Sequence, residues 1–228
     1  MPVETLEREL YTPAEAARLL QLPAQTLRRW LLGAERKGVW YEPVIRVDRG
    51  PDDLVTWGEF VEAAYLREYR KRGVKLDELR ALMSTVRSQL GVRYPLAHQQ
   101  YYVGQRALVL AAHEQAGIET SLFYVVATRK RKDQLVLADG ESTEPFITRV
   151  EFDHDVVARM HPDGASSPVV IDPQRNFGVP IVHGIRAEAI AEAFLAGEPI
   201  EYIQQLWNLT VEQVRAAVDW QQRIDRAA

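Results

Sequence analysis

Residues 11–30, YTPAEAARLLQLPAQTLRRW, hold two helix-sized segments hinged at Gln21-Leu22-Pro23. Each is too short to persist alone in water, so the two must share a core or neither forms. Thr12 opens the first segment: its hydroxyl can accept from an early amide, Pro13 suits the first helical position, and Glu15 stands where a capping box needs it. The pattern predicts a helix from about Pro13 to Leu20. Ala17 and Leu20, then Leu27, Trp30 and Leu31, place apolar groups at helical spacing on both segments. Two short helices crossing at a tight turn bury a common face in a helix-turn-helix, whose second helix projects outward. Its exposed face would carry Gln25, Thr26, Arg28 and Arg29, followed by Arg36 and Lys37. Arginine reads guanine edges bidentately, while Thr, Gln and Lys reach phosphates or other bases. An ordinary helical hairpin with a solvated polar face is the other reading.

The following stretch, GVWYEPVIRVDRGPDDLVTW, is β-rich around a Gly50-Pro51-Asp52-Asp53 turn, as a wing hairpin would be, with Arg46 and Arg49 near its tip. Thr56 and Glu59 form a second capping box, which opens a helix through about Arg70 with Phe60, Ala63 and Ala64 on its apolar face. Arg70-Lys71-Arg72 closes that helix beside Gly73, where cations either complement the helix dipole or touch phosphate. Leu76, Leu79, Leu82, Met83, Val86 and Leu90 then stripe a helix ending at Gly91. The stripe packs inward or pairs with a second copy; pairing would make the homodimer that readers of two DNA half-sites use.

With 228 residues, 46% of them hydrophobic, the chain can bury a sizeable core. No apolar run approaches the roughly 20 residues of a membrane helix, and no signal peptide is legible, so a soluble cytoplasmic protein is expected. The absence of cysteine excludes disulfides and thiolate chemistry. The net charge of −4 hides a gradient: residues 1–93 carry 16 basic and 14 acidic side chains, residues 140–228 carry 7 and 14. Two different partners, one of them polyanionic, fit that asymmetry, as does an acidic surface that serves solubility.

Between Tyr94 and Gly164 the pattern turns β-like, with LFYVVAT, DQLVLAD and EPFITRVEF as strand candidates. Arg129 to Lys132 sit between two of them, as a solvated hairpin tip or a phosphate contact. Asp153, His154 and Asp155, at consecutive positions, do not converge on one ion, so no metal is expected. His113-Glu114 lacks a nucleophile, and neither a phosphate-binding glycine loop nor a nucleophile elbow is present. Neither catalysis nor a cofactor is therefore expected.

The last third reads as strand, turn and strand over VVIDPQRNFGVPIVHG, then three helices: IRAEAIAEAFLAG, PIEYIQQLW and TVEQVRAAVDWQQRI. The second has Pro199 at its first position and Ile200, Ile203 and Trp207 on one face; Thr210 and Gln213 cap the third. From Arg186 onward 4 basic residues face 7 acidic ones, with Glu212 and Asp219 beside Arg215 on the last helix. Such a surface opposes the phosphate field and suits a protein partner or self-association. The whole predicts a mainly α, α+β chain in three parts: a winged helix-turn-helix over 1–93, a small β-rich connection over 94–165, and a three-helix, helix-turn-helix-like unit over 166–228.

Residues 9–91 resemble the winged helix-turn-helix of MerR-type regulators, with Pro23 where such motifs often place Ser or Thr. Residues 169–220 closely resemble a small three-helix family whose members act as antitoxins in bacterial toxin–antitoxin pairs; Gly184-Ile185-Arg186 stands where many have Gly-Thr-Arg. Together they are similar to a long VapB-type antitoxin. The resemblance implies binding and neutralisation of a PIN-domain ribonuclease toxin and repression of the chain's own operon. It places the operator contact on Gln25, Thr26, Arg28 and Arg29, with Arg46 and Arg49 on the wing. PIN nucleases use clustered carboxylates with Mg²⁺, which a cation from the antitoxin would disturb. Arg223 and Arg226 are the candidates. The alternative is a ligand-responsive MerR-like regulator whose residues 94–228 form a sensing domain.

Overall fold

Thr12 takes an extended conformation, and its hydroxyl accepts from the Glu15 amide while the Glu15 carboxylate accepts from the Thr12 amide. This reciprocal cap starts helix α2 (Pro13–Leu19), which follows α1 (Pro2–Leu6) and strand β1 (Glu9–Tyr11). The computed structural model describes residues 2–47, 54–101, 106–119 and 146–226. Gln21 turns the chain through the left-handed region (φ 50°) into α3 (Ala24–Leu32), whose N-terminus is Pro23 without a side-chain cap. Ala16, Ala17, Leu19 and Leu20 of the first segment and Leu27, Trp30 and Leu31 of the second are all buried. The two short helices thus share the core that their lengths require.

A hairpin follows immediately, β2 (Ala34–Arg36) with β3 (Val39–Tyr41). Lys37 and Gly38 close it with positive φ at both positions, the two-residue geometry that matches strand twist. Its second strand falls at the start of the β-rich stretch expected to form the wing, whose Gly50–Asp53 turn and Arg49 fall outside the described residues. β4 (Val55–Thr56) pairs with β1, with Glu9 opposite Thr56, and not with β3. Val55 is fully buried, and pairing with β1 is what puts it in the core.

Thr56 and Glu59 form the second reciprocal cap at the start of α4 (Trp57–Lys71), the central helix, which is buried over most of its circumference. In α5 (Leu76–Leu90), Leu79, Leu82, Met83 and Val86 point into the same core. Leu76 and Leu90, at the two ends of the stripe, are half-buried. The helix packs against α6 (Arg106–Gln115), in a stretch whose sequence pattern reads as β-rich. The strand candidates at 122–128 and 133–139, and Arg129 to Lys132, lie outside the described residues. The candidate at 144–152 becomes a 3-10 turn, Phe146–Arg149, running into β5.

An antiparallel sheet takes its five strands in chain order: β5 (Val150–Asp153), β6 (Val156–Met160), β7 (Val169–Ile171), β8 (Pro180–Val182) and β9 (Ile185–Arg186). It crosses residue 165, joining the two later segments of the expected three-part division. Helices α7 (Ala187–Leu195), α8 (Ile200–Trp207) and α9 (Val211–Arg226) follow, and Thr210 and Gln213 cap α9 reciprocally. The architecture is mixed, helix-rich with small antiparallel sheets, as an α+β chain is. One contiguous core runs from Leu6 to Ile224. Two buried hydrogen bonds tie its ends: Trp57 Nε1 donates to the Val157 carbonyl and Tyr11 Oη to the Gly178 carbonyl, both at 2.7 Å.

Candidate nucleic-acid interface

Burial of Leu27, Trp30 and Leu31 sets the rotation of α3 about its axis and thereby what it shows to solvent. Gln25 and Arg28 are exposed, Thr26 and Arg29 half-buried, and the Arg29 Nε donates back to the Gln25 carbonyl at 3.2 Å. Gly33 ends the helix at φ 79°; a Cβ there would stand 2.5 Å from the Tyr41 carbonyl oxygen and 2.7 Å from the Trp40 ring. Only glycine lets the hairpin fold back this closely on the end of α3. The chain beyond the hairpin is strapped to the same end, since the Val44 and Ile45 amides donate to the Trp30 carbonyl. Arg36 and Lys37 are exposed at the hairpin turn. Helix and hairpin end present four cations and one exposed acid, Glu35, on rigidly positioned backbone.

Arg46 does not belong to this surface. Its guanidinium donates to both oxygens of Glu59, at 2.8 and 3.1 Å, and to the Leu54 carbonyl, with the two side chains 9% and 3% exposed. Glu59 is also the acid of the α4 capping box, so Arg46 is a structural counter-ion buried under the start of that helix. Near the chain end, Arg223 pairs with Asp163 and lies over the Trp220 ring, with its side chain 43% exposed. Arg226 is exposed.

Two polar groups are enclosed in the core. Burial pushes Glu62 up to about 8, against the pull of Arg87, whose guanidinium stands 3.4 Å away. Tyr69 links Tyr101 (3.1 Å) and His113 Nε2 (3.0 Å), and His113 Nδ1 faces the Val109 carbonyl at 2.7 Å. That carbonyl can only accept, so Nδ1 carries the proton and Tyr69 donates to Nε2. Burial holds His113 below its usual value, in the neutral form. Asp153 pairs with His154, whereas Asp155 turns to His98. Among the described residues no group of three His, Asp or Glu is placed to hold a metal, and no helix is long and apolar enough to cross a membrane.

One surface escaped the sequence reading. Tyr202 and Leu206 stand one turn apart on α8, outside the face that buries Ile203, and Phe194 and Leu195 end α7 exposed. The signal was available: Ile200, Ile203 and Trp207 use up the inward face of α8 and leave two large apolar residues without a place in it.

The fold and this surface define an α+β protein that turns a short cationic helix and hairpin end outward. The chain belongs to the same family as the uncharacterized protein Rv2308 of Mycobacterium tuberculosis, with which it is 34% identical over 94% of its own length and 91% of that protein's. It is 28% identical, over 92% of both chains, to the putative antitoxin VapB45 of the same organism. The crystal structure of Rv2018 from M. tuberculosis shares its fold, with a TM-score of 0.68 over 93% of this chain and 98% of that one at 24% identity. No family model matches the chain.

Proposed function

We propose that this protein is the antitoxin of a toxin–antitoxin pair, which binds and neutralises a PIN-domain ribonuclease and represses its own operon as a DNA-bound homodimer. The observation that carries the DNA half is the outward face of α3, Gln25, Thr26, Arg28 and Arg29, followed by Arg36 and Lys37 exposed at the turn of the hairpin that folds back on Gly33. In this reading α2 and α3 form the helix-turn-helix and β2–β3 the wing. Full-length similarity to a putative antitoxin supports the toxin half. Arg223, paired with Asp163 yet exposed, and Arg226, also exposed, are the candidates for toxin contact.

The test is co-expression with the product of the adjacent gene. Rescue of growth arrest and co-purification are expected; absence of both removes the antitoxin reading. On the operator fragment, Glu212→Ala with Asp219→Ala should leave binding nearly intact, because α9 opposes the phosphate field. A large loss would place DNA on the C-terminal helices as well.

A further inference from the structure

The α7–α8 knob combines apolar exposure with charge of a single sign. Leu195 is 62% exposed, Tyr202 51% and Leu206 52%, with Phe194 at 39%. Tyr202 and Leu206, at i and i+4, are neighbours on one helix face. Between Arg186 and Arg215 the chain carries no Lys, Arg or His but five acids, Glu188, Glu192, Glu198, Glu201 and Glu212, all exposed. Exposed apolar side chains interspersed with acids, Glu192 one turn before Leu195 and Glu201 next to Tyr202, are what a polar-edged protein interface presents.

We infer that this knob is where the toxin docks, a refinement that rests on the antitoxin reading above. Charge selects the occupant. A second copy meeting the same face would bring glutamates against glutamates, and like charges juxtaposed in an interface cost several kcal/mol. Nucleic acid and anionic lipid are repelled for the same reason. The complementary partner is a protein with an apolar patch ringed by Lys and Arg. A ribonuclease answers that description, because it must hold cations along the path of its polyanionic substrate. Tyr202 and Leu206 fill the apolar centre, and the glutamate rim takes the place of RNA phosphates. Neutralisation then needs no arginine delivered to the nuclease carboxylates.

The experiment measures binding of the full chain to the adjacent gene's PIN-domain product and to the operator. Tyr202→Ser with Leu206→Ser, both at exposed positions, should weaken toxin binding on the order of 100-fold, mainly through faster dissociation. Glu198→Gln with Glu201→Gln should slow association about 10-fold and flatten its salt dependence. Operator affinity should be unchanged in both, and RNA should compete with the chain for the toxin. If the wild-type chain binds the toxin and both variants bind it equally tightly, the docking surface is wrong while the antitoxin reading stands. If the wild-type chain forms no complex, both fall. A free wild-type dimer that the serine pair converts to monomer would assign the knob to a second copy, and a loss of operator affinity would assign it to DNA; either overturns the proposal.

Discussion

Arg28 and Arg46 carry the same guanidinium into opposite environments, one on the solvent face of α3 and the other locked between Glu59 and the Leu54 carbonyl. Their alanine variants should therefore fail in different assays. Arg28→Ala and Arg29→Ala should each weaken operator binding by about 1 to 3 kcal/mol if they touch bases, with the melting temperature unchanged. Titration of a labelled operator checks this, and unchanged affinity would refute the assignment. Arg46→Ala should lower stability by about 3 to 5 kcal/mol, because it strands the buried Glu59 carboxylate. Glu62 makes stability depend on pH. Its folded value of about 8 lies above the ordinary 4.5, so the folded chain holds one proton more than the unfolded chain between those limits. Stability from this group is full below about 4.5 and is lost as pH rises towards 8. Glu62→Gln should remove that slope, so its melting temperature relative to wild type should climb from pH 5 to pH 8; parallel profiles would show that Glu62 is ionised in the fold. His113 acts in the other direction, since its lowered value costs stability as pH falls below the ordinary 6.5.

At the scale of elements, the helix starts were legible because a capping box is a contact between residues three apart. Thr12 with Glu15, Thr56 with Glu59 and Thr210 with Gln213 all close as their spacing requires. The caps differ in depth. Thr12→Ala should cost about 1 kcal/mol. Thr56 is buried and its hydroxyl also donates to Tyr94 Oη at 3.2 Å, so Thr56→Ala should cost about 2 kcal/mol. Urea midpoints at equal m-value compare the two; equal costs would mean that the Tyr94 bond contributes nothing. Two turn signals compete after α3, and the Gly50–Asp53 turn lies outside the described residues. Gly50-Pro51-Asp52-Asp53 is the denser cluster of turn formers, yet Lys37-Gly38 closes the hairpin directly after α3, and β4 finds its partner far back in β1. The stripe on α5 was equally ambiguous, since a/d spacing serves a core and a dimer seam alike; in the fold Leu79, Leu82, Met83 and Val86 are buried, and α6 and the 3-10 turn Pro95–Ala97 pack against the helix.

At the scale of the molecule, one apolar core draws on residues from Leu6 to Ile224. The sheet crosses residue 165, and Gly178 sits under Tyr11, where an added Cβ would meet the tyrosine oxygen at 2.4 Å and φ is 74°. A chain ending at residue 165 would lose β7 to β9 and the helices that cover them, and should show no cooperative unfolding. The full chain should unfold in one calorimetric transition with equal calorimetric and van't Hoff enthalpies. Two resolved transitions would restore independent units.

The sequence by itself determined the helix starts, the apolar faces of the short helices and the charge gradient, because these depend on residues within a turn or two of each other or on composition alone. Tertiary structure decided which arginine faces solvent, which strands pair and what α8 leaves uncovered. Those outcomes depend on contacts such as Arg46 with Glu59 and Tyr11 with Gly178, between residues whose separation along the chain carries no periodic signal.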